Sequence, residues 1–147
     1  MKKFIIKSPK GMQRAAEDFA KRLLARPSLD CATVVGLMGD LGSGKTTFAG
    51  GFARALGIKK RMLSPTFIVF RRYALYDLPF KNFYHVDVYR IHDINEAHAL
   101  GFVDILSDSR NIVLIEWADK VKKILPKNTV WLQLKHGEQS NERLLYM

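Results

Sequence analysis

The chain has 147 residues, of which 48% are hydrophobic, and a formal charge of +10 from 24 lysines and arginines against 14 acidic residues. This length suits one domain, which we predict to span residues 1–147, and the lone Cys31 excludes an internal disulfide. No apolar run approaches the roughly 18 residues that a membrane span needs, and residues 4–6 are too short for a secretory signal, so we expect a cytoplasmic protein. The positive charge favours anionic partners such as nucleotide, RNA or an acidic protein surface, unless it is simply a basic solvated surface.

The N-terminal segment predicts a short strand followed by an amphipathic helix. Residues 4–7 are typical of a strand. Ser8 and Pro9 give a capping serine and a proline at the first helical position. Apolar residues then recur at helical spacing as far as Leu24, so this helix is expected to bury one face.

The next segment predicts a buried strand, a glycine-rich turn and a second helix. Residues 32–38 are apolar on both faces, which is typical of a strand inside a parallel sheet. A helix is predicted over residues 45–56, with Gly57 as its end. Gly50 and Gly51 lower the helix propensity inside it, and we interpret them as permitting close packing on the sheet.

The rest of the chain predicts more strands than helices. In chain order these are strands at 67–75 and 83–91 joined as an antiparallel hairpin, a short helix at 95–100 before Gly101, an apolar strand at 111–116, a helix at 118–125 ending at Pro126, and strands at 129–134 and 143–146 joined near Gly137. The pattern indicates a mixed α/β protein with helices covering a central sheet.

Residues 39–46 read GDLGSGKT and match the phosphate-binding pattern G-x-x-x-x-G-K-[ST] in full. Glycines let successive backbone N–H groups turn inward around an anion, and the following helix adds the positive end of its dipole. Lys45 adds a full charge at the β and γ phosphates, and the Thr46 hydroxyl can bind Mg²⁺. We expect contacts with a nucleoside triphosphate from Asp40, Leu41, Gly42, Ser43, Gly44, Lys45, Thr46 and Thr47. A strand before the loop and a helix after it predict a three-layer P-loop NTPase fold with a mixed, mostly parallel sheet.

Such a site also needs an acidic residue on the far side of the Mg²⁺ ion. Glu116 ends an apolar strand, which makes it the better candidate on spacing alone. Asp87 is the other candidate, although it could be a solvated carboxylate on the hairpin. The period of two in a strand places His85, Asp87 and Tyr89 on one face. We interpret His85 as a hydrogen-bonding structural residue in preference to a catalyst.

The ordered motifs closely resemble those of the TsaE family, also called YjeE, over residues 36–126. The matching segments are GDLGSGKTT at 39–47, SPTF at 64–67, HVDVYR at 85–90, Glu96 with Gly101, and IEW at 115–117. The P-loop is shared with many unrelated proteins, whereas the other segments at these distances are far more specific.

The resemblance implies a bacterial ATPase needed for making threonylcarbamoyladenosine in tRNA. Members of the family bind and slowly hydrolyse ATP and act with two partners, TsaD and TsaB. The ATPase resets that complex between turnovers and does not form the carbamoyl bond itself. The basic charge would then serve direct tRNA contact, an acidic face of TsaD, or no specific partner.

The resemblance also implies roles for single residues. Thr66 resembles the switch-loop threonine near the γ-phosphate, and Asp87 resembles the acid on the Mg²⁺ side, which reverses the ranking from spacing. Glu116 then becomes a candidate for orienting the attacking water. Trp117 is expected to line the nucleotide site or the partner surface, or to be a core aromatic.

Three other functions remain open on the residues alone. A small P-loop phosphotransferase such as a nucleotide kinase fits the size, but no arginine-rich lid segment is visible in the sequence. A GTPase is disfavoured because the sequence has no Asn-Lys-x-Asp segment to recognise guanine. A nucleic-acid-binding module with an incidental P-loop would account for the charge.

Overall fold

The structure is a computed structural model that describes residues 1–27, 30–63 and 69–147. Its strands are β1 (Lys3–Ile6), β2 (Thr33–Met38), β3 (Phe70–Ala74), β4 (Asn82–Asp87), β5 (Asn111–Glu116), β6 (Val130–His136) and β7 (Arg143–Tyr146). Its helices are α1 (Pro9–Leu24), α2 (Lys45–Ala55), α3 (Ile94–Ala99), α4 (Phe102–Ser107) and a 3₁₀ helix (Ala118–Ile124).

The strands form one seven-stranded mixed sheet in the order β1-β7-β6-β2-β5-β4-β3. The neighbouring strands β6, β2, β5 and β4 pair in parallel, whereas β3 and the β1-β7-β6 edge pair antiparallel. The predicted hairpin is the β3–β4 pair. The predicted P-loop NTPase fold, a mixed sheet with an antiparallel hairpin and flanking helices, is therefore confirmed, and three of its six strand pairings are parallel.

Helices α1 and α2 pack together on one face of the sheet. The Ser8 side chain caps α1 by accepting a hydrogen bond of 3.0 Å from the Gly11 N–H, as its position before proline predicts. A Cβ atom placed on Gly51 would lie 2.3 Å from the carbonyl oxygen of Gln13 in α1. Gly51 thus permits a close approach between the two helices, and our interpretation that it serves packing on the sheet was wrong.

The core divides into two apolar layers, one on each face of the sheet. The first joins α1 and α2 to the sheet through large side chains such as Phe48, Phe52 and Phe83. The second contains Phe102 of α4 and Val121 of the 3₁₀ helix. Burial on both faces explains why β2 and β5 are continuous apolar runs.

Two predicted elements differ from the structure. Strand β4 ends at Asp87 and not at residue 91, because the Asp87 carboxylate accepts a 2.9 Å hydrogen bond from the Tyr89 N–H and turns the chain. Tyr89 therefore lies beyond the strand. The helix predicted at 118–125 is a 3₁₀ helix whose buried residues Ala118 and Val121 are three apart, which matches its three residues per turn.

Helix α4 was not predicted from the sequence. Gly101 adopts a left-handed φ of 77° and ends α3 as expected, but a new helix begins at once. Phe102 and Leu106, four residues apart, are its buried side chains. Among the described residues, none of the helices combines the length and the hydrophobicity that crossing a membrane requires.

Candidate functional site

The candidate site lies at the carboxyl edge of the parallel strands. The P-loop follows β2, while Asp87 and Glu116 are the last residues of β4 and β5 and are partners in the strand register. Ligands of open α/β sheets bind at this edge. A cavity of about 390 Å³ opens there. Its lining residues are Leu41, Gly42, Gly44, Lys45, Thr46, Thr47, Asp87, Tyr89, Glu116 and Trp117.

The glycine that opens the P-loop has no room for a side chain. Gly39 has a φ of 148°, and a Cβ atom there would lie 2.2 Å from the Leu134 carbonyl oxygen and 2.8 Å from the Ser43 Oγ. The loop is thus pressed against β6, and a left-handed backbone lets its N–H groups turn toward the cavity. Ser43 Oγ is buried and has no hydrogen-bond partner among the described residues.

Lys45 is a buried cation held by backbone dipoles and an aromatic ring. Its Nζ donates to the carbonyl oxygens of Gly39 at 2.7 Å and Asp40 at 2.8 Å. The same Nζ lies 3.8 Å from the centroid of a Trp117 ring. Burial lowers the pKa of Lys45 below its ordinary value, although the charges of Glu116 and Asp87 act in the opposite direction. A bound anion would therefore stabilise this ammonium group.

Glu116 joins the P-loop to β4 through two hydrogen-bonded neighbours. The Thr46 hydroxyl donates to the two carboxylate oxygens at 3.0 and 3.1 Å. His85 Nε2 lies 2.8 Å from Glu116 Oε1, and both side chains are buried. Because a carboxylate oxygen only accepts, the hydrogen of this contact belongs to His85 Nε2. His85 Nδ1 is buried without a partner in the described part of the chain. The interpretation of His85 as a hydrogen-bonding residue agrees with this geometry.

Asp87 and Trp117 also line the cavity. Asp87 is 4% exposed and fixes the turn after β4. Trp117 has a left-handed φ of 62°, and its ring packs on Tyr89 with centroids 4.9 Å apart. Trp117 thus lines the site while also packing against the second apolar layer.

The structure gathers most of the predicted site residues around one cavity. Asp40 is exposed and contributes its carbonyl oxygen to Lys45, while Ser43 is buried behind the loop, so their side chains do not line the cavity. Thr66, expected near the γ-phosphate, lies outside the described residues. Its role stays a prediction.

Two residues that the sequence did not predict support the P-loop from the antiparallel side of the sheet. His136 Nε2 lies 3.0 Å from the Leu41 carbonyl oxygen, and Arg143 Nε donates to the Gly42 carbonyl oxygen at 2.9 Å. They belong to β6 and β7, roughly a hundred positions after the loop. No local pattern marks them, because the contact depends on the pairing of β6 with β2 and of β7 with β6.

Comparison with known proteins gives one consistent family. The model of the family described as threonylcarbamoyl adenosine biosynthesis protein TsaE matches residues 6–145. The chain belongs to the TsaE family. It is 37% identical over 113 residues to the tRNA threonylcarbamoyladenosine biosynthesis protein TsaE of Bacillus subtilis, covering 77% of this chain and 68% of that protein.

Other relatives of the TsaE family agree. The TsaE protein of Haemophilus influenzae is 34% identical, and the match covers 88% of this chain and 78% of that protein. The crystal structure of YdiB from Bacillus subtilis superposes with a TM-score of 0.69 at 27% identity, over 98% of this chain and 82% of that chain. The family to which the chain belongs is involved in tRNA threonylcarbamoyladenosine biosynthesis.

The donor set of the site fits Mg²⁺ bound together with phosphates. Thr46, Asp87 and Glu116 offer hard oxygen atoms around one cavity. In the described part of the chain, no three His, Cys, Asp or Glu residues cluster as a complete metal site. Mg²⁺ in nucleotide enzymes is held by one or two carboxylates plus phosphate oxygens and water, so an all-protein cage is not required.

Proposed function

We propose that the chain is the ATP-binding, slowly hydrolysing subunit of the tRNA threonylcarbamoyladenosine machinery and acts with TsaD and TsaB. The observation that carries the proposal is the buried Lys45 ammonium, which faces a cavity of about 390 Å³ and is held by carbonyl dipoles and a ring. Phosphate oxygens would replace these weak partners by full negative charges.

The nucleoside part of ATP needs space beyond the phosphate cavity. A second cavity of about 280 Å³ lies on the flank of the P-loop and shares Gly42, Gly44 and Thr47 with the first. Its other lining residues include Met12 and Asn141, an apolar side chain and an amide. Base sites combine apolar surface with a few polar groups, so we place the base here. Asn141→Ala should weaken binding of ATP and leave binding of inorganic tripolyphosphate unchanged in calorimetric titrations.

Thr46, Glu116 and Asp87 would hold the metal ion. When bound, Mg²⁺ neutralises charge that develops on the phosphates. The Thr46–Glu116 contact supports Glu116 as the acid on the metal side, and Asp87 as the second acid of the cavity. We therefore expect Glu116→Gln to raise the Mg²⁺ concentration needed for nucleotide binding more than Asp87→Asn does. The reverse order would return Asp87 to the metal-side role that the resemblance implies.

Hydrolysis would proceed by positioning and charge stabilisation. Lys45 and the loop N–H groups would bind the γ-phosphate, and the second acid would orient the attacking water. No arginine is among the described residues that line the cavity. Since an arginine supplied by a partner raises such rates about 10³–10⁵-fold, a slow rate alone and a faster rate with TsaD and TsaB are expected.

The decisive experiment measures ATP hydrolysis by this chain alone and with TsaD and TsaB. Lys45→Ala serves as the blank and should abolish turnover and weaken ATP binding while the protein stays folded by circular dichroism. Stimulation by the two partners supports the proposal. Turnover retained in Lys45→Ala would refute the site, and fast turnover without a partner effect would point to a phosphotransferase instead.

A further inference from the structure

A further concave surface beside the nucleotide site, separate from the two cavities described above, is rich in positive charge. One cavity of about 470 Å³ begins at Thr46 and Thr47, and its wall includes Lys59, Lys60 and Arg61. A neighbouring cavity of about 380 Å³ shares Lys60, Arg61 and Leu63 with the first and continues to β3. We call the two joined cavities the basic cleft. Its cationic lining residues are Arg54, Lys59, Lys60, Arg61, Arg71 and Arg72.

Most of these cations have no anionic partner within the described part of the chain. Arg54 is paired with Glu17 at 3.2 Å, so its charge is already compensated. The other five cations are exposed and form no ion pair with the described residues, and no carboxylate is among the described residues that line the cleft. Like charges held together in a concave surface raise the local positive potential, so an anionic ligand would be attracted here.

The shape and composition of the cleft favour a polymer of phosphates. The charge extends over two joined cavities, which is more than one small anion could contact. The large apolar side chains of the lining are Met62, Leu63 and Tyr73, and the cationic side chains outnumber them. Protein interfaces bury an apolar centre and are depleted in lysine, whereas nucleic-acid sites are basic surfaces on domains with a pI above about 9. This chain has a pI of about 9.9.

We infer that the basic cleft binds the phosphate backbone of RNA next to the nucleotide site. The inference goes beyond the proposed ATPase, because it rests on the cleft and on the membership of the tRNA-modifying family and does not require hydrolysis. The cavity at Thr46 and Thr47 connects the two sites, so bound RNA would lie against the first turn of α2.

Binding of a fluorescein-labelled tRNA transcript, measured by anisotropy over a series of salt concentrations, tests the inference without ATP. Log affinity falls with log salt, and each lost phosphate contact makes this slope shallower by about 0.7–0.9. Lys60→Ala with Arg61→Ala should therefore make it shallower by about 1.4–1.8. The matched control is Lys2→Ala with Lys3→Ala, which removes the same charge at β1, the edge of the sheet opposite β3. The control should keep the parent slope.

If the cleft variant and the control lose the same amount of salt dependence in tRNA binding, the inference is overturned, because the binding would then follow total charge alone. An acidic protein partner is the competing explanation, and poly-glutamate that displaces the transcript as well as unlabelled tRNA does would support that explanation against ours. Should Lys60→Ala with Arg61→Ala fail to fold, Arg71→Gln with Arg72→Gln removes two cations from the other half of the cleft. This variant should make the salt slope shallower by a similar amount. Since no arm measures hydrolysis, failure here leaves the proposed ATPase standing.

Discussion

The contact between His85 and Glu116 should be one of the strongest single interactions at the site. His85 is fully buried and donates to a carboxylate that is itself 2% exposed, at 2.8 Å. A hydrogen bond to a charged group contributes about 1.5–3 kcal/mol, and truncating a large buried side chain costs about 2–5 kcal/mol. We therefore expect His85→Ala to lower the free energy of unfolding by roughly 3–5 kcal/mol, a large share of the about 5–15 kcal/mol of a typical domain.

Urea unfolding of a double-mutant cycle separates the hydrogen bond from the loss of packing. The cycle combines His85→Ala with Glu116→Ala, and the expected coupling energy is about 1.5–3 kcal/mol. His85→Gln keeps an N–H donor near the position of Nε2 and should recover part of the loss. As a control, His85→Ala combined with the distant surface change Asp108→Ala should be additive. A His85–Glu116 coupling energy below about 0.5 kcal/mol would refute the reasoning, since neighbours that do not interact behave additively.

Three further predictions concern the loop and the surface. Gly39→Ala should destabilise the fold by at least about 2 kcal/mol in urea, because the new methyl group meets the Leu134 carbonyl oxygen. Arg143→Ala should weaken nucleotide binding about 3–10-fold in calorimetry, since one P-loop carbonyl group loses its donor. Hydrogen bonds from the Arg110 side chain and backbone lower the pKa of Asp108 from 3.8 to about 2. A lowered carboxyl pKa stabilises the fold above pH 3.8 and ceases to do so as the pH falls through about 2. The melting temperatures of the parent and Asp108→Asn should therefore differ at pH 7 and converge at acid pH.

Each of these predictions has a matched control or a contradicting result. Gly57 also has a positive φ, but none of the described atoms would crowd a Cβ atom there, so Gly57→Ala should cost only about 1 kcal/mol. An equal cost at both glycines would contradict the steric argument. Arg14→Ala, at an exposed position of α1, should leave nucleotide affinity unchanged. A difference between the parent and Asp108→Asn that stays constant from pH 7 to pH 2 would contradict the assignment of that pKa.

Local sequence determined the elements whose geometry is fixed by their own residues. Ser8 and Pro9 set the start of α1 through a cap within one turn. Residues 39–46 set the P-loop, because glycine dihedrals and the following helix are properties of adjacent residues. The apolar runs of β2 and β5 predicted both strands inside the parallel sheet, because a strand that is buried on both faces is apolar along its whole length.

Tertiary structure decided how these pieces meet. The alignment of β4 beside β5 brings His85 to Glu116, and the packing of α2 on the same sheet brings Thr46 to the same carboxylate. His136 and Arg143 reach the P-loop only because β6 pairs with β2 and β7 pairs with β6. The turn at Asp87 is a local exception, because a hydrogen bond between residues two positions apart ended a strand that alternation alone would have continued. Hydrogen bonds between distant segments depend on strand order and register, and these follow from the packing of the whole chain and not from any local pattern.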